Sequence, residues 1–216
     1  PVRYQPTMNT ISFSKEFSVV VETRECEDAT ELLRMKPLDT VVLSNKIDNP
    51  EYLSLFEPEP TSYNGEITEL LIITDESFRS AFSELKEFHD KQGIQTMIRT
   101  VDDIGSDSPS EIREYIKKQY LDEGISYVLL GGDDDIVPAQ HLYVTGLDEG
   151  EDFYETTLPS DLFYGCLDGS FNSDGDDLWG ETTDGDDGGD VDLMADVFVG
   201  LPPVSLIEPS ETLIEI

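Results

Sequence analysis

The apolar run Tyr127-Val128-Leu129-Leu130 stops abruptly at Gly131-Gly132 and three consecutive aspartates, Asp133, Asp134 and Asp135. A short apolar run without alternation, bounded by turn formers, describes a strand covered on both faces. Strands of that kind belong to parallel sheets, whose ligands gather beyond the carboxyl ends. The two glycines let the backbone turn sharply there, so the aspartates stand on a rim suited to chemistry. A solvated acidic turn is the competing reading of the same residues.

The stretch before this run repeats the logic. Leu70-Leu71-Ile72-Ile73 reads as a buried strand ending at Thr74-Asp75, with Asp75 as the N-cap of the helix that follows. Phe78, Ala81, Phe82, Leu85 and Phe88 recur at helical spacing, and Gly93 closes that helix. Ile94 to Val101 reads as a second strand. Ser108-Pro109-Ser110-Glu111 has the pattern of a capping box with proline at the first helical position, and Ile112, Tyr115, Ile116 and Tyr120 line one face of the helix it opens. Strand, helix, strand, helix, strand at this spacing gives parallel pairing and right-handed crossovers. The expected fold is therefore α/β, a doubly wound and mostly parallel sheet flanked by helices.

Residues 1–62 read as a separate, small β-rich amino-terminal segment. Ile11 to Glu22 carries β-branched and aromatic residues with partial alternation, Ala29 to Met35 suits a short helix, and Pro58, Pro60 and Gly65 mark a linker. Residues 63–216 form the α/β part, with an irregular acidic insertion at about 140–192 before a last strand at Ala195 to Gly200. A loop of that length is functional or tied down by something.

Charge narrows the partners. The chain has 48 acidic and 13 basic residues, a net charge of -35, and no Lys or Arg after Lys118. Nucleic acid and anionic membranes are poor partners for such a surface, whereas cations and basic peptides are favoured. No apolar run approaches a membrane span of about 18 residues. The insertion offers a place for the cations. Asn172, Asp174 and Asp176, followed by Glu181, set oxygen side chains at alternate positions around Gly175, as calcium loops do to gather six to eight oxygens. Gly175 falls at the fourth position and Glu181 comes early, so this is not an EF-hand loop. Asp168 joins the candidate ligands, with Asp184 and Asp186 from a second acidic cluster, and a flexible acidic loop is the competing reading.

Catalytic chemistry is harder to assemble. A thiol nucleophile needs a histidine to take its proton, and the chain offers Cys26, Cys166, His89 and His141. His141 and Cys166 both fall near the rim, but neither sits in a nucleophile turn. Serine elbows, phosphate loops and zinc spacings are absent. No catalytic residue is assigned.

The order LLIIT, a helix ending in KQGI, SPSEIREYIKKQY, YVLLGGDDDIVPA, PSDLFYGCLDG and DVFVG resembles the gingipain family of cysteine endopeptidases over about Glu69 to Val204. The resemblance implies a caspase-like α/β fold, calcium binding and secretion, with Asp133, Asp135 and Asp161 on the cleft rim. It also implies a catalytic His in a Gly-His-Gly turn and a nucleophilic Cys, both after the segment matching Asp196 to Gly200. Cys166 does not align with the nucleophile. Leu201 stands where relatives carry arginine. The expectation is the amino-terminal chain of a hydrolase, matured by proteolytic processing into a heterodimer. Its partner is the downstream catalytic chain of the same precursor, and its substrate a peptide or protein cut after Arg or Lys. The alternative is a non-catalytic calcium-binding module, used in adhesion or inhibition, on a degenerate peptidase fold.

Overall fold

Five apolar or β-branched residues in a row, Leu70 to Thr74, are all buried, and this strand is the centre of the sheet. In a computed structural model of the protein, residues 68–147, 153–185, 189–191 and 193–202 are described throughout, with 2–5, 8–13 and scattered positions between 16 and 54. The chain divides into two compact units, Pro1–Glu31 and Leu32–Ile216.

The first unit contains an antiparallel hairpin of β1 (Val2–Gln5) and β2 (Thr10–Phe13), in register Val2 to Phe13. Asn9 adopts φ 47° at its turn, a left-handed conformation that asparagine tolerates. The predicted strand beyond Phe13 and the predicted helix over Ala29 to Met35 lie largely outside the described residues.

The second unit holds β3 (Leu70–Thr74), α1 (Arg79–Lys91), β4 (Thr96–Thr100), α2 (Val101–Ile104), α3 (Pro109–Asp122), β5 (Tyr127–Gly131), β6 (Gln140–Leu147), β7 (Phe153–Ser160), α4 (Leu162–Gly165) and β8 (Phe198–Gly200). β3, β4, β5 and β8 form one parallel sheet in the order β4-β3-β5-β8. Successive residues of β3 serve opposite faces. Leu70 and Ile72 pack with Phe82 of α1 and Ile98, while Leu71 and Ile73 pack with Ile112 and Ile116 of α3 and with Phe163 and Tyr164 of α4. Helices therefore lie on both faces, as the sequence predicts. Arg34 extends this packing, its guanidinium 3.7 Å over the Tyr120 ring and donating to Ile125 O at 2.5 Å. Burial pushes the Tyr120 phenol up to about 12.

Several local readings change. Asp75 does not cap α1. Its carboxylate accepts from Ser77 N–H and Oγ, and the N-cap position falls at Phe78. Ser108 is the N-cap of α3 with proline after it, yet makes no side-chain cap bond. The reciprocal capping box forms instead between Thr100 and Asp103, so Val101 starts a helix rather than ending a strand. The insertion is not irregular throughout either. Gln140 to Leu147 pairs antiparallel with Phe153 to Ser160 as a two-stranded ribbon.

Candidate functional site

The carboxyl ends of β3 and β5 are tied by Thr74, whose Oγ1 donates to Gly131 O at 2.6 Å. Gly131 is required by crowding, since a Cβ there would stand 2.5 Å from the Phe82 ring and 3.0 Å from Thr74 Cβ. The chain then turns over Asp133, whose carbonyl accepts the N–H groups of Ile136 and Val137 at 2.9 Å each. Its Oδ1 is buried and takes no hydrogen bond among the described residues.

The three aspartates have separate environments. Asp134 Oδ1 accepts Ala139 N–H at 2.6 Å and its Oδ2 lies 2.9 Å from His141 Nε2, contacts that hold this carboxyl below the usual range. Asp135 is exposed. Asp161 precedes α4 with no side-chain cap bond, and burial pushes its carboxyl up. Tyr164 donates to Pro138 O, fixing the loop after the aspartates onto α4, and burial pushes its phenol well above the usual tyrosine range. Asp134 is therefore engaged by its neighbours, whereas Asp161 is half-buried in front of α4.

His141 and Cys166 do not form a nucleophile pair. His141 is about half exposed on β6 against Asp134, whereas Cys166 is fully buried with Ile112, Ile116 and Phe163. His89 lies on α1 with Nδ1 against Leu85 O at 2.9 Å.

Beyond α4, Arg113 anchors the acidic loop. Its guanidinium donates to Cys166 O at 2.8 Å, Asp168 O at 2.6 Å and Gly169 O at 3.0 Å. It lies 4.8 Å from the Phe163 ring centre and 5.3 Å from that of Phe171. Within the loop, Gly175 takes φ +74° and Asn172 Oδ1 accepts its N–H at 2.8 Å. The resulting turn brings carboxylate oxygens of Asp174, Asp176 and Glu181 within 4.8 Å of one another. Thr183 Oγ1 donates to both Asp174 and Glu181.

The other candidate ligands are placed differently. Asp184 is fully buried, accepting Ser173 N–H at 2.8 Å and the N–H groups of Gly180 and Glu181 at 2.9 Å. It is the loop's internal anchor. Asp168 is exposed outside the trio, and Asp186 lies outside the described residues. Spacing alone indicated the trio but not Arg113, because a cation in an amphipathic helix gives no sign that it points inward at carbonyls 53 to 56 residues away.

The family described as Peptidase family C25 matches residues 63–214. Solved structures similar to the chain include the complex of the Porphyromonas gingivalis RgpB pro- and mature domains (20% identity, TM-score 0.42, 65% of this chain and 25% of that one). The Arg specific cysteine proteinase gingipain R is similar at 20% identity and TM-score 0.42, over 69% of this chain and 27% of that one. The chain thus spans about a quarter of the length of these structures. No curated protein matches it.

Proposed function

The chain belongs to peptidase family C25, and from that premise we propose that it is the amino-terminal part of a secreted gingipain-like cysteine endopeptidase. The mostly parallel sheet flanked by helices is the caspase-like α/β arrangement expected of that family. The match over residues 63–214 carries the reading. In it, the catalytic His and Cys come from a downstream segment or second chain, where the Cys thiolate attacks the peptide carbonyl and the His acts as base and then acid. The engagement of His89 and His141 elsewhere and the burial of Cys166 support that division of labour. This part supplies the sheet, a wall of the cleft and the metal sites.

Substrates cut after Arg or Lys suit a rim built from Asp133, Asp135 and Asp161 on a chain of net charge -35. Calcium suits the loop. Asp174, Asp176 and Glu181 are hard oxygen donors already held together by backbone turns, and a hard divalent cation offsets their mutual repulsion. Asn172 is the neighbouring residue that fixes the turn. Secretion rests on the family resemblance, and no helix among the described residues is long and apolar enough to cross a membrane.

The test is co-expression with the downstream chain of the same precursor, followed by assay on peptides bearing Arg or Lys at the scissile bond. Association of a partner bearing a Gly-His-Gly turn and a reactive cysteine, with peptide cleavage, is the expected result. No associated partner and no cleavage would sink the proposal and favour a calcium-binding module.

A further inference from the structure

A peptidase that cuts after Arg or Lys meets targets in this chain only up to Lys118, since no Lys or Arg follows. Three arginines before that point lie in regular structure and are tied down. Arg79 pairs with Glu76 and Asp103, Arg99 donates to Tyr115 Oη at 3.1 Å and to Ile98 O at 3.0 Å, and Arg113 holds three carbonyls of the acidic loop. Proteolytic cuts concentrate in segments outside helices and strands. Arg34 stands in such a segment, with Lys36 two residues on.

Both cations are nonetheless withdrawn from solvent. The Arg34 side chain is 5% exposed, and Lys36 is buried. The Arg34 guanidinium covers the Tyr120 ring, donates to Ile125 O and pairs with Asp39 at 2.5 Å. Tyr120 Oη donates in turn to Leu32 O at 3.1 Å, and Asp39 Oδ2 accepts the Lys36 N–H at 3.1 Å. Lys36 Nζ reaches the end of α3, where a Cβ on Gly124 would overlap it. α3 has no basic residue in its own last turn, and a cation is favoured beside the carbonyls that end a helix. Burial lowers the Lys36 pKa and Arg34 acts the same way, while Asp39, Glu123 and Glu69 oppose the shift. These side chains therefore close the base of the sheet, at the end of α3 and the approach to β5, opposite the rim.

We propose that Leu32, Arg34, Lys36 and Asp39 form a strap whose seating on α3 and Ile125 hides Arg34 from any arginine-directed peptidase, the enzyme itself included. Only that last clause rests on the peptidase reading above. Recognition of an arginine requires its guanidinium to enter a pocket of the attacking enzyme, and this guanidinium is already held by a ring, a carbonyl and a carboxylate. Cleavage after Arg34 then waits on local opening of the strap, and its rate follows the population of the open form.

The test is trypsin, which cuts after Arg and Lys, applied to the native chain with the products read by mass spectrometry. Cleavage after Arg34 is expected to be slower by about 100-fold or more than in a synthetic peptide of the same local sequence. Asp39→Ala is expected to speed it in the chain by about 10-fold or more, as loss of a charge-assisted hydrogen bond shifts the opening equilibrium. Gly124→Ala should also speed it, by displacing Lys36. Cleavage after Lys91, whose side chain is 74% exposed at the end of α1, should keep its rate in both variants. An Arg34 bond cut as fast in the unsubstituted chain as in the peptide, or one indifferent to both substitutions, overturns the strap. Equal acceleration after Arg34 and Lys91 would assign the effect to the whole fold and overturn it as well. In the chain co-expressed with the downstream chain of its precursor, an active pair should spare the Arg34 bond and cut it in Asp39→Ala. Cutting of the unsubstituted strap by an active pair, or none in Asp39→Ala, overturns the self-protection. Slow trypsin cleavage in a pair without peptidase activity leaves the strap standing and brings down the peptidase reading.

Discussion

The buried Arg113 guanidinium donates its Nε–H to the carbonyl oxygen of Cys166 at 2.8 Å, joining helix α3 to the residue that ends α4. The same side chain reaches Asp168 O and Gly169 O, so one cation satisfies three carbonyls at the start of the acidic loop. Burial lowers the Arg113 pKa, a shift that the neighbouring Glu114, Cys166, Asp168 and Asp196 oppose. Lysine carries the charge but lacks the planar fork that serves three acceptors at once. Arg113→Lys is expected to cost about 2–4 kcal/mol through the acceptors it orphans, read by urea denaturation of the chain. A loss below about 0.5 kcal/mol would show that the loop holds without this clamp.

Asp184 does for the inside of the loop what Arg113 does for its entrance. Both carboxylate oxygens face amide donors from Ser173, Gly180 and Glu181. Asp184→Asn turns an NH2 group toward at least one of those donors, which costs about 1–3 kcal/mol at a buried site. The amides of residues 173, 180 and 181 should then exchange with solvent faster than in the unsubstituted chain, while those of β3 keep their protection. Unchanged exchange at all three positions would remove Asp184 from this role.

The tie between strand ends predicts a third effect. Thr74→Val keeps the shape of a fully buried side chain but deletes the donor to Gly131 O. The expected loss is about 1–2 kcal/mol. Gly131→Ala should be worse than Thr74→Val, because its Cβ meets the Phe82 ring at 2.5 Å. Denaturation midpoints of the two variants give the order directly, and the reverse order would refute the crowding argument.

Much of the sheet was legible because an unbroken apolar run leaves a plain trace, buried throughout in β3 and in β5 from Val128 on except for the partly buried Leu129. Leu70 to Ile73 and Tyr127 to Leu130 have no polar residue to suggest another structure, and both are strands. The ribbon of β6 and β7 was not legible. Its residues mix Thr, Gly, Glu and Pro, and pairing between the two strands rather than core burial decides its structure. Capping bonds were less legible for a related reason, since Asp75 has the right side chain but bonds to Ser77 instead of capping α1, and Ser108 takes the N-cap position of α3 without a side-chain cap bond. At the site, alternate acidic positions around Gly175 indicated the trio of Asp174, Asp176 and Glu181. Asp184 looked like one more ligand because spacing does not reveal that its oxygens are taken up by amides.

Asp196 makes a pH prediction whose sign follows from burial. Burial raises its carboxyl pKa, with the Leu167 N–H at 2.7 Å acting in the opposite direction. The folded chain therefore holds this proton at higher pH than the unfolded chain does. Its contribution to stability is complete below the ordinary aspartate value and is lost as pH rises through the raised one. Asp196→Asn keeps an acceptor for Leu167 N–H and removes that titration. The variant should gain on the unsubstituted chain as pH rises from 4 to 7, seen as a smaller fall in denaturation free energy. Parallel pH profiles would contradict the assignment.

Removal of metal is the most direct probe of the acidic loop. Asp174, Asp176 and Glu181 repel one another unless a cation or protons intervene, and the backbone turns that hold them give no neutralising charge. Calcium at 100 times its dissociation constant would stabilise the folded chain by about 2.7 kcal/mol. For a chain of this size that corresponds to a rise in melting temperature of about 5–10 °C over the same chain in chelator. Asp174→Asn should abolish most of the difference, because it removes a charge from the trio while Thr183 Oγ1 can still donate to the remaining side-chain oxygen. Asp168→Asn, outside the trio, should keep the calcium response, which separates a bound ion from general screening of the acidic surface. A melting temperature indifferent to calcium and chelator in the unsubstituted chain would leave the trio as a solvated turn held by Gly175 and Asn172.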